Sequence, residues 1–475
     1  MSRIVAYIPD DMVVTSQLSP YSCNDVMAKN ISEDVRSDTP REVDQTIDDD
    51  RPDIIKKNAL SVEIMKYANV KQQTLRQKRQ RMKVASCIAQ GFKDYCFQLP
   101  EHSLHIVGST MNGYGEPKSD LDLCMHLRVE TLSRDQTIEC LGHLKRIAKH
   151  IPCVDDAEVR HSRVPILHMK LKPPYTHIAV DININNVVTV QNTYMLWLFS
   201  KFDWRVSVLV SIVKSWAAVR NFNSASQNTF SSYSLVLMTI HYLQVGVSPP
   251  ILPSMKNLIA NCTQEELLWT VLNTDSIADL VIGFFDYYGN NFNYNEDAIS
   301  VLHGKKLSRL EVIKGTKNLA QWQCICIQEP FNYTNAAYAV YNEHIFSEIK
   351  KELRATHQQL VTNYDLRETL RISTNEYRKI MKTKPVSIAR RNADLELQRK
   401  YVAIHHREYF LPTNLWIPSS TEFVSDVENR LVSSLFKSDE GDARKQSSKN
   451  MERVLYSFVE LDKDRYSEIV RNGRG

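Results

Sequence analysis

The sequence predicts a mixed α/β region at 103–184 followed by a mostly helical one, in a chain long enough for two or three domains. Three observations predict it. Short β-like runs at 103–107, 120–127, 164–171 and 177–184 enclose a helical pattern near 137–150, where Ile138, Leu141, Leu144 and Ile147 share one face. From about 192 to 350, long segments carry helical apolar periodicity, with a Pro-rich break at 248–253 and one late β-like run at 322–327. At 475 residues the chain exceeds one compact domain, and 43% hydrophobic with 24% charged residues suits a buried core.

Residues 1–53 carry 12 Asp/Glu and 5 Lys/Arg, so a net charge of +4 leaves +11 on the remainder. A basic body with an acidic arm is compatible with nucleic-acid binding and equally with an ordinary soluble surface. Segment 33–53 has too little apolar content to order itself, so 1–57 is expected to be disordered. From 58 the pattern turns helical, with Ile64, Tyr67 and Val70 spaced by threes and Ile88, Phe92 and Tyr95 following. Between these groups, 71–83 holds six basic residues and no acid, which reads as an RNA-facing surface or a solvated helix face. Beyond 350 the chain is charged and weakly periodic, with nine Lys/Arg against three Asp/Glu in 376–407.

Several classes are excluded. None of the 13 Gly builds G-x-G-x-x-G or a P-loop. No apolar run is long enough to span a membrane: Lys214 interrupts 206–219, and His241 and Gln244 interrupt 233–247. Asp10-Asp11 precede any signal-peptide core, so secretion is not expected. The nine Cys are scattered without C-x-x-C, which suits reduced thiols in cytosol or nucleus. A metal would therefore be held by oxygen.

The chemistry concentrates in 105–127. A short strand ends at Val107, Gly108-Ser109 open a turn, and Gly113 and Gly115 keep the next loop pliable. Asp120 and Asp122 follow at i and i+2 on a strand, so alternation puts both carboxylates on one face, opposite Leu121 and Leu123. Two carboxylates about 4 Å apart repel by roughly 4 kcal/mol at an effective dielectric of 20, which a divalent cation between them would relieve. Asp181 sits in a second β-like run whose Ile178, Val180, Ile182 and Ile184 face the other way. If the two strands are neighbours, three carboxylates converge and suit Mg²⁺, or two such ions.

D-x-D alone is commonly structural. A Gly-Ser turn followed by Asp-Leu-Asp-Leu is far more specific and resembles the hG[GS]…Dh[DE]h signature of the DNA polymerase β-like nucleotidyltransferases. Within that superfamily, roughly 58–348 resembles cytoplasmic poly(A) polymerases of the germline-development type and the related terminal uridylyltransferases. The resemblance implies a nucleotidyltransferase domain at 81–195 and a helical poly(A) polymerase-associated central domain at 196–348, with the active site in the cleft between two lobes. It also implies a helical segment at 58–80 packing on the central domain. Residues 349–475 form a charged extension of unassigned role.

The same resemblance implies roles for individual residues. Gly108 and Ser109 would approach the triphosphate. Asp120, Asp122 and Asp181 would be catalytic metal ligands for Mg²⁺, with Mn²⁺ able to substitute, and Asp181 would assist deprotonation of the RNA 3′-hydroxyl. Asn192 would lie near the ribose, a helix-cap role being the plain alternative. Lys214 would neutralise phosphate; relatives often add a second Lys four positions later, where this chain has Ala218. Ser232 would donate to phosphate and Tyr233 stack on the base, against the alternative of a Ser231 or Ser232 helix cap and a core tyrosine. Glu329 precedes Pro330-Phe331 in the nucleotide-recognition segment, and Gln328 stands where relatives are often acidic. The aromatic segment 284–300 resembles the poly(A) polymerase-associated region, although by itself it says only packing.

Uridylyltransferases carry a base-reading His in the loop that here runs Asn332-Tyr333-Thr334-Asn335-Ala336 without one, while His344 falls in a helical pattern. The expectation is therefore template-independent addition of AMP from ATP to RNA 3′ ends in the cytoplasm. A terminal uridylyltransferase is the alternative within the class, and a catalytically inactive scaffold the alternative outside it. With no RNA-binding module in the sequence, an RNA-binding protein partner is expected to choose the target, with neither DNA nor membrane involved.

Overall fold

The computed structural model describes residues 51–95, 102–127, 132–260, 271–314, 316 and 319–383. The expected acidic arm before 51 and most of the basic stretch 376–407 lie outside them. Two 21-residue helices open the described chain, α1 (Arg51–Lys71) and α2 (Leu75–Tyr95). The helix thus begins inside the segment expected to be disordered, because Leu60, Ile64, Tyr67 and Ala68 bury one face.

Next come β1 (His102–Val107), β2 (Leu121–Leu127), α3 (Arg134–Ala148), β3 (Val154–Arg160), β4 (Ile166–Leu171) and β5 (Val180–Ile184). They form one sheet in the order β1-β2-β5-β4-β3, with β2 and β5 parallel and the other pairs antiparallel. Ser133 caps α3 in a reciprocal box with Gln136. Leu121, Leu123 and Met125 of β2 point into the core with Val84, Ile88 and Phe92 of α2 and Leu141 and Leu144 of α3. Period-2 alternation sends Asp122 and Cys124 to the other face. There Val190 buries Cys124 and Val107.

The helical part contains α4 (Val187–Phe202), α5 (Trp204–Val219), α6 (Ser232–His241), α7 (Met255–Ala260) and α8 (Ile277–Asp286). It continues through β6 (Asp297–Ser300), β7 (Lys305–Ser308), α9 (Arg309–Ile313), β8 (Ile327–Gln328), α10 (Glu343–Asn363), α11 (Leu366–Thr369) and α12 (Thr374–Met381). The aromatic run expected from 284 packs inward: Phe284, Phe285, Tyr288 and Phe292 are buried against one another. Helix α10 continues through the expected boundary at 349 and buries Phe346, Ile349, Leu353 and Leu360. Trp216 Nε1 donates to Thr356 Oγ1 at 2.8 Å, fastening α5 to α10.

Three readings of the sequence need correction. Strand β3 was not expected, because VDDAEVR shows little apolar signal; it is the sheet edge, where polar residues face water. The expected strand at 322–327 reduces to Ile327–Gln328, preceded by a helical turn at Leu319–Trp322. Asn335 explains this, since its amide donates to Gln321 O and Ile325 O and accepts from Ile327 N, folding the segment into a loop.

The third concerns 71–83. The expected solvated face holds only in part: Arg76, Arg79 and Lys83 are exposed, whereas Lys78 and Arg81 of α2 are buried. Arg81 Nη2 donates to Pro117 O at 3.0 Å and Ser119 O at 2.6 Å, clamping the loop that delivers Asp120. Replacing Arg81 with Met would strand two carbonyls that now receive a charged donor. It is expected to cost about 2–4 kcal/mol, read by urea unfolding, and to loosen the Asp120 loop.

Candidate active site

Strand β1 ends at Val107, and a single 3₁₀ turn, Gly108–Thr110, follows. Gly108 adopts φ +69°, and a Cβ built on it would stand 2.3 Å from Asp122 Oδ2. Glycine is therefore required twice, for the left-handed backbone and for the close approach. Gly108 N donates to Thr193 Oγ1 at 2.9 Å, tying the turn to α4 beside Asn192. Ser109 is half-buried on the same turn.

Asp122 and Asp181 are register partners on the parallel strands β2 and β5. Side chains at paired positions share a face, so the two carboxylates stand together. Asp120 is exposed and falls just before β2, anchored through Leu121 N, which donates to Ala179 O at 2.8 Å. On the next strand, His168 pairs in register with Asp181, and its Nδ1 lies 2.6 Å from Asp181 Oδ1.

No described residue donates a hydrogen bond to the Asp122 carboxylate. Burial, then the charge of Asp181, then that of Asp120 push its pKa up to about 7. Although Asp120 is exposed as a residue, partial desolvation of its carboxyl and the charge of Asp181 raise its pKa, while His168, Arg81 and Arg160 oppose the rise. Among the described residues, no three His, Cys, Asp or Glu side chains form a metal cage by themselves. The aspartates are an open donor set, and one of them is a half-buried acid beside like charge without a proton donor. Oxygen-only, open coordination of this kind fits Mg²⁺, which retains water and completes its shell with substrate phosphates.

A second cluster joins three residues far apart in sequence. The Tyr233 hydroxyl shares its proton between Asn192 Oδ1 at 2.5 Å and Glu329 Oε1 at 3.1 Å. Glu329 Oε2 accepts from Phe331 N at 2.8 Å and Asn332 N at 2.6 Å. Burial raises the Glu329 pKa, and these donors oppose it. Burial and the neighbouring Glu329 hold the Tyr233 phenol neutral, with a pKa well above its usual range. Asn192 lies inside α4, whose cap is Asn186. The α6 cap is Ser231, leaving Ser232 exposed with its hydroxyl donating to Asn223 Oδ1 at 3.2 Å. Gln328 turns away and accepts from Ser300 Oγ at 2.8 Å.

Tyr233→Phe is expected to destabilise the protein, because the ring keeps its place while Asn192 and Glu329 lose their shared donor. The stability loss should be about 1 kcal/mol, read by thermal unfolding.

Lys214 is buried in α5, with Nζ 2.6 Å from Glu116 Oε1 and 3.3 Å from Tyr114 O. Sequence reasoning missed Arg81, His168 and Glu116. A polar residue between Leu167 and Met169 on a strand, facing as Asp181 faces, was the available signal for His168. Nothing local marked Arg81 or Glu116, whose bonds to the loop before Asp120 and to Lys214 span 36 or more residues.

A mixed sheet with paired aspartates beside a Gly-Ser turn, followed by a helical domain, defines a polymerase β-like nucleotidyltransferase fold with a poly(A) polymerase-associated region. The central palm domain of mitochondrial-like poly(A) RNA polymerases matches residues 60–201, and the Cid1 family poly A polymerase model matches 276–335. The poly(A) RNA polymerase gld-2 of Caenorhabditis elegans is 33% identical over 327 residues, covering 56% of this chain and 29% of that protein. Mouse GLD2 is 31% identical over 334 residues, covering 66% of this chain and 67% of the mouse protein. The solved GLD-2/RNP-8 complex superposes with a TM-score of 0.58 at 31% identity, covering 67% of this chain and 99% of that one. The Cid1 poly(U) polymerase, 21% identical with a TM-score of 0.56, shares the fold. The chain belongs to the GLD2 poly(A) RNA polymerase family. It spans only 29% and 21% of the nematode and Drosophila melanogaster relatives that it matches.

Proposed function

We propose that this protein adds AMP from ATP, without a template, to the 3′ ends of RNA. The observation that carries the reading is the register pairing of Asp122 with Asp181, beside the Gly108–Ser109 turn, in a chain of the GLD2 family.

Asp120, Asp122 and Asp181 would hold Mg²⁺, which supplies charge neutralisation at the triphosphate and a lowered pKa for the 3′-hydroxyl. The remaining work falls to the chain. Gly108 and the Ser109 hydroxyl leave room for, and contact, the phosphates. Lys214 adds a point charge there, since phosphoryl transfer is mostly positioning and neutralisation. The Ser232 hydroxyl, exposed at the start of α6, is a further phosphate donor. Tyr233, its hydroxyl fixed by Asn192 and Glu329, presents a rigid ring for base stacking, and Asn192 faces the ribose. Asp181, with Oδ1 held by His168, offers Oδ2 to the proton of the RNA 3′-hydroxyl as it attacks the α-phosphorus and pyrophosphate leaves.

Adenine is the favoured base because loop 332–336 lacks a histidine and several curated relatives are named poly(A) polymerases. The reaction is assigned to the cytoplasm, with the six described cysteines free thiols. Target choice is assigned to an RNA-binding partner, in keeping with solved structures of GLD-2 in complex with RNP-8 and with GLD-3.

The test is extension of a short labelled RNA with Mg²⁺ and each nucleoside triphosphate in turn, using the full chain alone and fused to a module that tethers it to the RNA. Ladders with ATP are expected. Preferential use of UTP would overturn the base assignment, and silence with every nucleotide, even when tethered, would overturn the enzymatic reading.

A further inference from the structure

The ammonium assigned to the triphosphate already has a tenant. Lys214 Nζ sits 2.6 Å from Glu116 Oε1 and 3.3 Å from Tyr114 O, and the lysine side chain is 9% exposed against 37% for Glu116. A buried ammonium without an anion is costly, so the nucleotide-free protein needs a counter-charge at this point. Glu116 supplies it from the loop that links the Gly108–Thr110 turn to Asp120, and Arg81 fixes that loop at Pro117 and Ser119. The carboxylate lies at the surface end of the pair, free to leave into solvent. Lys71, whose Nζ lies 3.7 Å from Glu376 Oε1, lines the same small cavity as Glu116, Tyr114 and Ser211.

We infer that Glu116 is a built-in anionic placeholder, which occupies Lys214 until a nucleoside triphosphate displaces it. The inference rests on the phosphate role proposed for Lys214. It adds that nucleotide affinity is set partly by the strength of an intramolecular ion pair. The closed pair makes the binding-competent state a fraction of the population, and apparent affinity falls by that fraction. Only ligands that reach Lys214 with a charged phosphate meet this competition. A nucleoside without phosphates binds without opening the pair.

The experiment is calorimetric titration of the full chain with a non-hydrolysable ATP analogue and Mg²⁺, comparing wild type, Glu116→Gln, Lys214→Met and the double variant. Glu116→Gln keeps an oxygen acceptor for the lysine but removes the competing charge. It is expected to tighten the analogue roughly tenfold, to leave adenosine unchanged, and to increase the rise in Tm that the analogue produces. In the Lys214→Met background the same change is expected to have no effect, since the two residues act as a pair. Glu116→Thr, which opens the pair without leaving an amide beside the lysine, repeats the result. Unchanged or weaker analogue binding in both Glu116 variants overturns the placeholder and makes Glu116 a support for the lysine. Wild-type affinity in Lys214→Met overturns instead the phosphate role itself, so the two failures are told apart.

Discussion

Replacing Asp122 with Asn is expected to abolish RNA extension, by at least about 10³-fold, while leaving the metal-free protein more stable than wild type at neutral pH. The two halves of this result share one cause. Asp122 stands in register with Asp181 and near Asp120, without a hydrogen-bond donor among the described residues, and its folded-state pKa is pushed from 3.8 up to about 7. A carboxyl whose folded-state pKa is raised binds its proton more tightly in the native protein than in the unfolded chain. Stability is therefore lost as pH rises from about 4 to about 7 and is recovered on acidification through the same window. Asparagine has the shape without the charge and should flatten this dependence. The measurement is Tm against pH in a chelating buffer for both proteins, beside extension assays with Mg²⁺. Wild-type extension by the variant would remove Asp122 from the metal set. Parallel Tm profiles would show that the carboxylate is not under the electrostatic load described.

Gly108→Ala should have the next largest effect, with extension lowered about 10²-fold or more. At φ +69° an alanine is strained by about 1–2 kcal/mol. Its methyl would also stand 2.3 Å from Asp122 Oδ2, so the carboxylate must swing away from Asp181. The loss should fall mainly on kcat, since the displaced group is a metal ligand under this reading. Gly142→Ala is the matching control. Gly142 lies within α3, has nothing within 4 Å of its would-be Cβ, and should gain about 0.5–1 kcal/mol of stability with extension unchanged. Equal behaviour of the two variants in kinetics would contradict the close-approach argument.

Much of this site was legible in the sequence because its parts are local or periodic. Alternation alone separates Asp122 from Leu121 and Leu123, and a lone Gly-Ser after an apolar strand marks the turn. Long helices were legible for the same reason, since α4, α5 and α8 are rich in apolar residues over ten or more positions. Strand β3 was not, because an edge strand needs no apolar alternation on its wet face. Segment 322–327 misled because β-branched content argues for a strand, whereas the bonds that decide the matter come from the side chain of Asn335.

Charge was the least readable property. The basic run at 71–83 looked uniform, yet Arg81 is buried and bonded to two carbonyls while neighbouring Arg79 is exposed. A charged side chain reports its environment only through its partners, and those partners were supplied by chain closure. The sequence by itself determined the class of fold, and alternation with apolar neighbours marked Asp122 and Asp181, because spacing on a strand dictates which side chains share a face. Only the tertiary structure decided that Asp122 meets Asp181, that Tyr233 is held by Asn192 and Glu329, and that Lys214 is held by Glu116. Each of those contacts joins residues dozens of positions apart, and hydrogen bonds or charge over a few ångströms carry no trace in local periodicity.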